Sequence, residues 1–93
     1  MIVATCRIEL DLPSRTLKEK RQILQSVVAR MRRSFNVAVA EVDLNELWGS
    51  AALGIVTVSN SADYAQGLLE RVVAWLEGSR LDLTVVGYEI EIL

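Results

Sequence analysis

The chain has 93 residues, 52% of them hydrophobic and 24% charged, with a formal net charge of −2. That length supports one core, so a single domain over residues 1–93 is expected, and the composition is too apolar for a disordered chain. The absence of His removes the commonest general base and zinc ligand, and a single Cys allows neither an intrachain disulfide nor a CxxC site.

The apolar run at residues 1–6 meets Arg7, Glu9 and Asp11 at once. It is too short for a signal-peptide core, and no apolar stretch reaches the roughly 18 residues of a membrane span. A soluble cytoplasmic protein without membrane attachment is expected, in keeping with an unpaired Cys.

Residues 2–12 alternate strictly, with Ile2, Ala4, Cys6, Ile8, Leu10 and Leu12 on one face, which predicts a half-buried strand. Pro13 and Ser14 stop it. Thr16, with Glu19 three residues on, reads as a capping box opening a helix to about Ser34, whose buried stripe is Leu17, Leu24, Val28, Met31 and Phe35 with Val27 beside it. Asn36 breaks that helix. Residues 37–44 alternate again, predicting a second strand with Ala38, Ala40, Val42 and Leu44 facing in and Val37, Val39, Glu41 and Asp43 facing out. After a connector bearing Leu47, Trp48 and Gly49, residues 51–58 are almost wholly apolar, as in a central strand packed on both faces. Ser59, Asn60 and Ser61 supply the cap of a second helix over residues 62–77, with Gly78 placed as a C′ residue. Residues 81–93 form the last strand, with Val86, Tyr88, Ile90 and Ile92 alternating against Glu89 and Glu91 and Gly87 marking a bulge. The order βαββαβ, with right-handed crossovers, predicts an α+β ferredoxin-like sandwich: a four-stranded antiparallel sheet with two helices on one face.

Charge is distributed unevenly along this frame. Residues 14–34 hold Arg15, Lys18, Lys20, Arg21, Arg30, Arg32 and Arg33 against Glu19 alone, a local charge of +6. The remainder holds Arg7, Arg71 and Arg80 against eleven acids, a charge of −8. Cations in the first turns of a helix oppose its macrodipole by about 0.3–1 kcal/mol each, a locally unfavourable placement of the kind functional sites show. Arg15, Lys18, Lys20, Arg21, Arg30 and Arg33 are therefore the candidate nucleic-acid-binding residues, with structured RNA or the ribosome as the expected partner. The bland reading is a solvated face whose arginines reach acids on neighbouring elements.

The open sheet face carries Arg7, Glu9, Asp11, Glu41, Asp43, Glu89 and Glu91 and lacks the base-stacking aromatics of an RNA-recognition sheet. Burial in a homodimer is the alternative use of that face, with Trp48, Glu41 and Asp43 as candidate partner-binding residues. Glu41, Asp43 and Glu46 lack the spacing of a metal loop, so no metal site is assigned. Cys6 and Trp75 read as core. Tyr64 opens the second helix as a packed or exposed aromatic. Ser59 and Ser61 have no base beside them, and Gly49 and Gly54 make no phosphate-binding loop. No catalytic residue and no small-molecule cofactor is assigned, and a non-enzymatic protein is expected.

Three segments are familiar in combination: Thr16-Leu17-Lys18-Glu19-Lys20-Arg21, the run 35–43, and Leu47-Trp48 followed by Leu53-Gly54 and Val58-Ser59-Asn60. Together they resemble the YlxP-like family of small bacterial proteins of unknown function, over essentially the whole chain. Thr16 stands where the family usually has Ser, which preserves the cap. The resemblance implies a ferredoxin-like fold and, in many bacteria, a gene setting among transcription and translation factors. It implies no activity. The motif residues it carries over are Leu17, Lys18, Lys20, Arg21, Glu41, Asp43, Trp48 and Asn60.

Overall fold

The computed structural model describes residues 1–79 and 82–93. Arg80, and Leu81 as the start of the last strand, lie outside the described residues. The elements follow as β1 (Ile2–Asp11), α1 (Leu17–Ser34), β2 (Ala38–Asp43), β3 (Ser50–Ser59), α2 (Ala62–Ser79) and β4 (Thr84–Ile92). The strands form one antiparallel sheet in the order β2-β3-β1-β4, so the two βαβ halves interleave as in a ferredoxin-like α+β fold.

Local chemistry sets most boundaries. The Thr16 hydroxyl accepts the Glu19 N–H at 3.1 Å and opens α1, which ends where Phe35 turns extended at φ −138. Ser61 is the cap of α2, accepting the Tyr64 N–H at 3.2 Å, while Ser59 accepts the Ser61 N–H at 3.1 Å. Gly78 is not a C′ residue, because α2 runs on through it to Ser79 and no glycine has a positive φ.

One core joins both helices to one sheet face: Ala4, Cys6, Ile8 and Leu10 of β1, Leu53 and Ile55 of β3, Leu24, Val27 and Met31 of α1, and Leu69, Val72 and Leu76 of α2. Cys6 is buried there, and desolvation pushes its thiol up to about 11 against a backbone hydrogen bond from Glu89 that lowers it. Trp75 packs on this core with its ring edge-on to Phe35, centroids 5.9 Å apart.

One strand turns the other way from the sequence expectation, and a second departs from it at one residue. In β2, Val39 pairs with Ile55 and Glu41 with Leu53, so Val39 and Glu41 face the helices while Ala38, Ala40 and Val42 face outward. The alternation Val-Ala-Val-Ala fits either register, and the one realised buries the larger valines. The register shifts between Glu41 and Asp43, returning Asp43 to the open side. In β4 the expected bulge is present between Val85 and Gly87, opposite Glu9 and Leu10. It carries Val85 to the core and leaves Val86 exposed.

The sheet is covered on one face only. β3 is central in order, yet Val56 and Val58 are exposed on the open face. Gly54 lies there beneath Val42, where a Cβ would meet Val42 Cγ1 at 2.6 Å. The open face is thus divided into an aliphatic half on β2 and β3 and a charged half around Arg7, Glu9, Glu89 and Glu91. Among the described residues, no helix is long and apolar enough to cross a membrane.

Candidate nucleic-acid interface on the first helix

The buried line of α1 runs through Lys20, Leu24, Val27 and Met31, at the i, i+4, i+7, i+11 spacing of one helical face. Lys20 is therefore not a phosphate contact: it is 1% exposed. Its Nζ donates to the carbonyls of Leu44 at 2.8 Å and Leu47 at 2.6 Å and lies 2.8 Å from Glu41 Oε2, in an ion pair outside hydrogen-bond alignment. Two hydrogen-bonded carbonyls and the charge of a carboxylate around one ammonium are what make its burial tolerable. Glu41, expected on the open sheet face, instead serves Lys20 and is not available there to a partner.

This contact fixes the β2–β3 connector. Leu44 sits at φ 62, a left-handed conformation costing a non-Gly residue about 1–2 kcal/mol, and the ammonium on its carbonyl helps hold it there. The Leu47 N–H closes a turn onto Leu44 O at 3.0 Å, and the Leu44 N–H donates to Asp43 Oδ1 at 2.8 Å. On the other side the Leu12 N–H donates to Gly49 O at 2.9 Å, and the buried Ser14 hydroxyl donates to the Trp48 carbonyl. Trp48 is thus 55% exposed on a backbone tied at both ends.

Three other cations of α1, and Arg15 just ahead of its cap, look outward. Arg15, Lys18, Arg21 and Arg33 are exposed. The ion pairs among the described residues are Arg7 with Glu9 and Asp43, and Lys20 with Glu41. The bland reading, arginines reaching acids on neighbouring elements, thus finds no such pair for these four side chains. Arg30 is part-buried, its guanidinium 5.7 Å from the Trp75 ring centroid, so it covers that indole as well as carrying charge. Arg32 donates to the Val39 carbonyl at 2.8 Å. The outward-facing set is therefore narrower than the six candidates chosen from the sequence: Arg15, Lys18, Arg21 and Arg33.

The remaining candidates are placed as follows. Asp43 is exposed and shares Arg7 with Glu9, at 3.2 and 2.6 Å, so Arg7 has its acids within its own chain. Tyr64 is exposed, with the Arg71 guanidinium 5.7 Å from its ring centroid. A concave surface missed in the sequence lies between α1 and β2, lined by Arg21, Leu24, Gln25, Val28 and Arg32 from the helix and by Val39, Ala40, Glu41 and Leu53 from the sheet. Nothing in the sequence signals it, because it depends on β2 being an edge strand.

Two comparisons bear on identity. The family described as "Protein of unknown function (DUF503)" matches residues 3–90. The uncharacterized protein YlxP of Bacillus subtilis (strain 168) is 34% identical over 62 residues, covering 67% of each chain. The chain therefore belongs to the DUF503 family of proteins of unknown function, in which YlxP is a relative.

Proposed function

We propose that this protein is a non-enzymatic accessory protein that binds structured RNA, as on the ribosome, through the outward face of α1. The observation that carries the reading is the set of exposed cations Arg15, Lys18, Arg21 and Arg33, none of which has a carboxylate partner among the described residues. Arginines grip phosphate by a bidentate fork and lysine as a point charge. Such contacts position a polyanion without reading its sequence, which suits a domain whose open face offers no stacking aromatic. Four phosphate contacts predict a log–log salt slope of roughly −3 to −4. The test is the affinity for an RNA hairpin across a salt series, with Lys18→Glu/Arg33→Glu beside the parent chain. Steep salt dependence and loss of binding in the double variant are expected; no binding at about 50 mM salt, or a variant that binds equally, overturns the reading.

Self-association through the open sheet face is a second reading, supported by the aliphatic half of that face, where Val42, Val56 and Val58 are 54%, 38% and 54% exposed. The homodimer would cover this strip, with Trp48 and Asp43 at its border. Light scattering over a range of protein concentrations tests it; a constant monomer mass sets it aside.

A further inference from the structure

From the groove between α1 and β2 we infer a second binding site, one that takes an extended acidic peptide as an added strand on the β2 edge. The groove is about 280 Å³, its floor made by Leu24, Val28, Val39 and Leu53. It is an open groove and not an enclosed cavity, a shape that admits side chains of a longer ligand. One wall is the edge strand of the sheet, whose outer backbone groups have no neighbouring strand among the described residues. One carbonyl of this edge strand, that of Val39, already takes a hydrogen bond from outside the sheet, donated by Arg32 of α1. An incoming backbone N–H replaces that bond, and the released guanidinium turns to the ligand.

Charge selects the ligand. Arg21 and Arg32 stand at the rim, and neither has an ion-pair partner among the described residues. The carboxylate in the lining, Glu41, is already held by Lys20 at 2.8 Å. The site thus combines backbone pairing, a recess for an apolar side chain and two cations for carboxylates, the requirements for recognising an extended peptide that alternates apolar and acidic residues.

The test uses the full chain and an acetylated, amidated octapeptide of alternating valine and glutamate, followed by amide and guanidinium NMR shifts. Val39, Ala40 and Glu41 amides and the Arg21 and Arg32 guanidinium signals are expected to move together. The glutamine version of the peptide should bind at least about tenfold more weakly, since hydrogen bonds to charged groups are the stronger ones. Val28→Trp, which fills the groove, should weaken binding similarly, and a backbone N-methylated peptide, which needs no protein variant, should not bind. Equal binding by the glutamine or N-methylated peptide, or shifts confined to Lys18 and Arg33, overturns the inference. So does RNA, in place of the peptide, shifting the β2 amides. The Lys18→Glu/Arg33→Glu chain separates the two proposals, because it should lose RNA and keep the peptide.

Discussion

Lys18 and Lys20 stand two residues apart in the first turns of α1, and the fold treats them in opposite ways. Lys18 is exposed and has no ion-pair partner among the described residues, whereas Lys20 is sealed in the core and gives its ammonium to two carbonyls and Glu41. A rotation of about 200° along the helix separates them, enough to place one on the solvent crest and the other on the line of Leu24 and Val27. Charge counted along the sequence treats the two as equal contributors to a basic helix; in the folded chain one displays charge and the other organises a loop.

The contrast is broken most severely at the buried side. Lys20→Met leaves Glu41 uncompensated beside the core and two carbonyls without their donor, and is expected to cost about 3–5 kcal/mol by urea denaturation. Lys20→Met/Glu41→Leu should regain much of that loss, because no isolated charge remains. Both variants should shift Trp48 emission as the connector loosens.

A second buried polar group gives the same contrast a pH signature. The Cys6 thiol titrates at about 11 in the folded chain against an ordinary value of 9.0. The unfolded chain loses its proton first, so the stability conferred by the buried neutral thiol is whole below pH 9 and declines as pH climbs toward 11. Two units correspond to about 2–3 kcal/mol, and Cys6→Ala should show a flatter stability profile over that window. Ser14→Ala leaves the Trp48 carbonyl without its hydroxyl donor and should cost about 1–3 kcal/mol, with red-shifted Trp48 emission as a second readout. On the displayed side, Lys18→Ala should change stability by no more than about 0.5 kcal/mol while lowering the RNA salt slope by roughly one. A Lys18 variant as damaging as Lys20→Met would collapse the distinction.

Much of the architecture was legible in the residues. The strict alternation of β1, the Thr16 and Glu19 cap, a cap within Ser59, Asn60 and Ser61 and the two apolar helices were enough to order the elements as βαββαβ, because caps and periodicity act locally. The face of β2 was not legible. Its alternation of valine and alanine permits both registers, and the choice followed from pairing Val39 and Glu41 with core positions of β3. Lys20 was recoverable in principle: it lies at i−4 and i−7 from Leu24 and Val27, but a charged residue on an apolar stripe is read as its border until a buried acceptor is known. The acceptors are Leu44, Leu47 and Glu41, more than twenty residues away, and no local rule brings them there.

By itself, then, the sequence determined the kinds and order of the elements, the solitary buried thiol and the concentration of cations in one helix, all properties of composition and short-range spacing. Tertiary structure alone decided which cations stay displayed, which way β2 faces, and that an apolar groove flanked by Arg21 and Arg32 opens beside a sheet edge. Those outcomes depend on pairing between distant segments, where burial of apolar area and satisfaction of a buried charge outweigh local pattern.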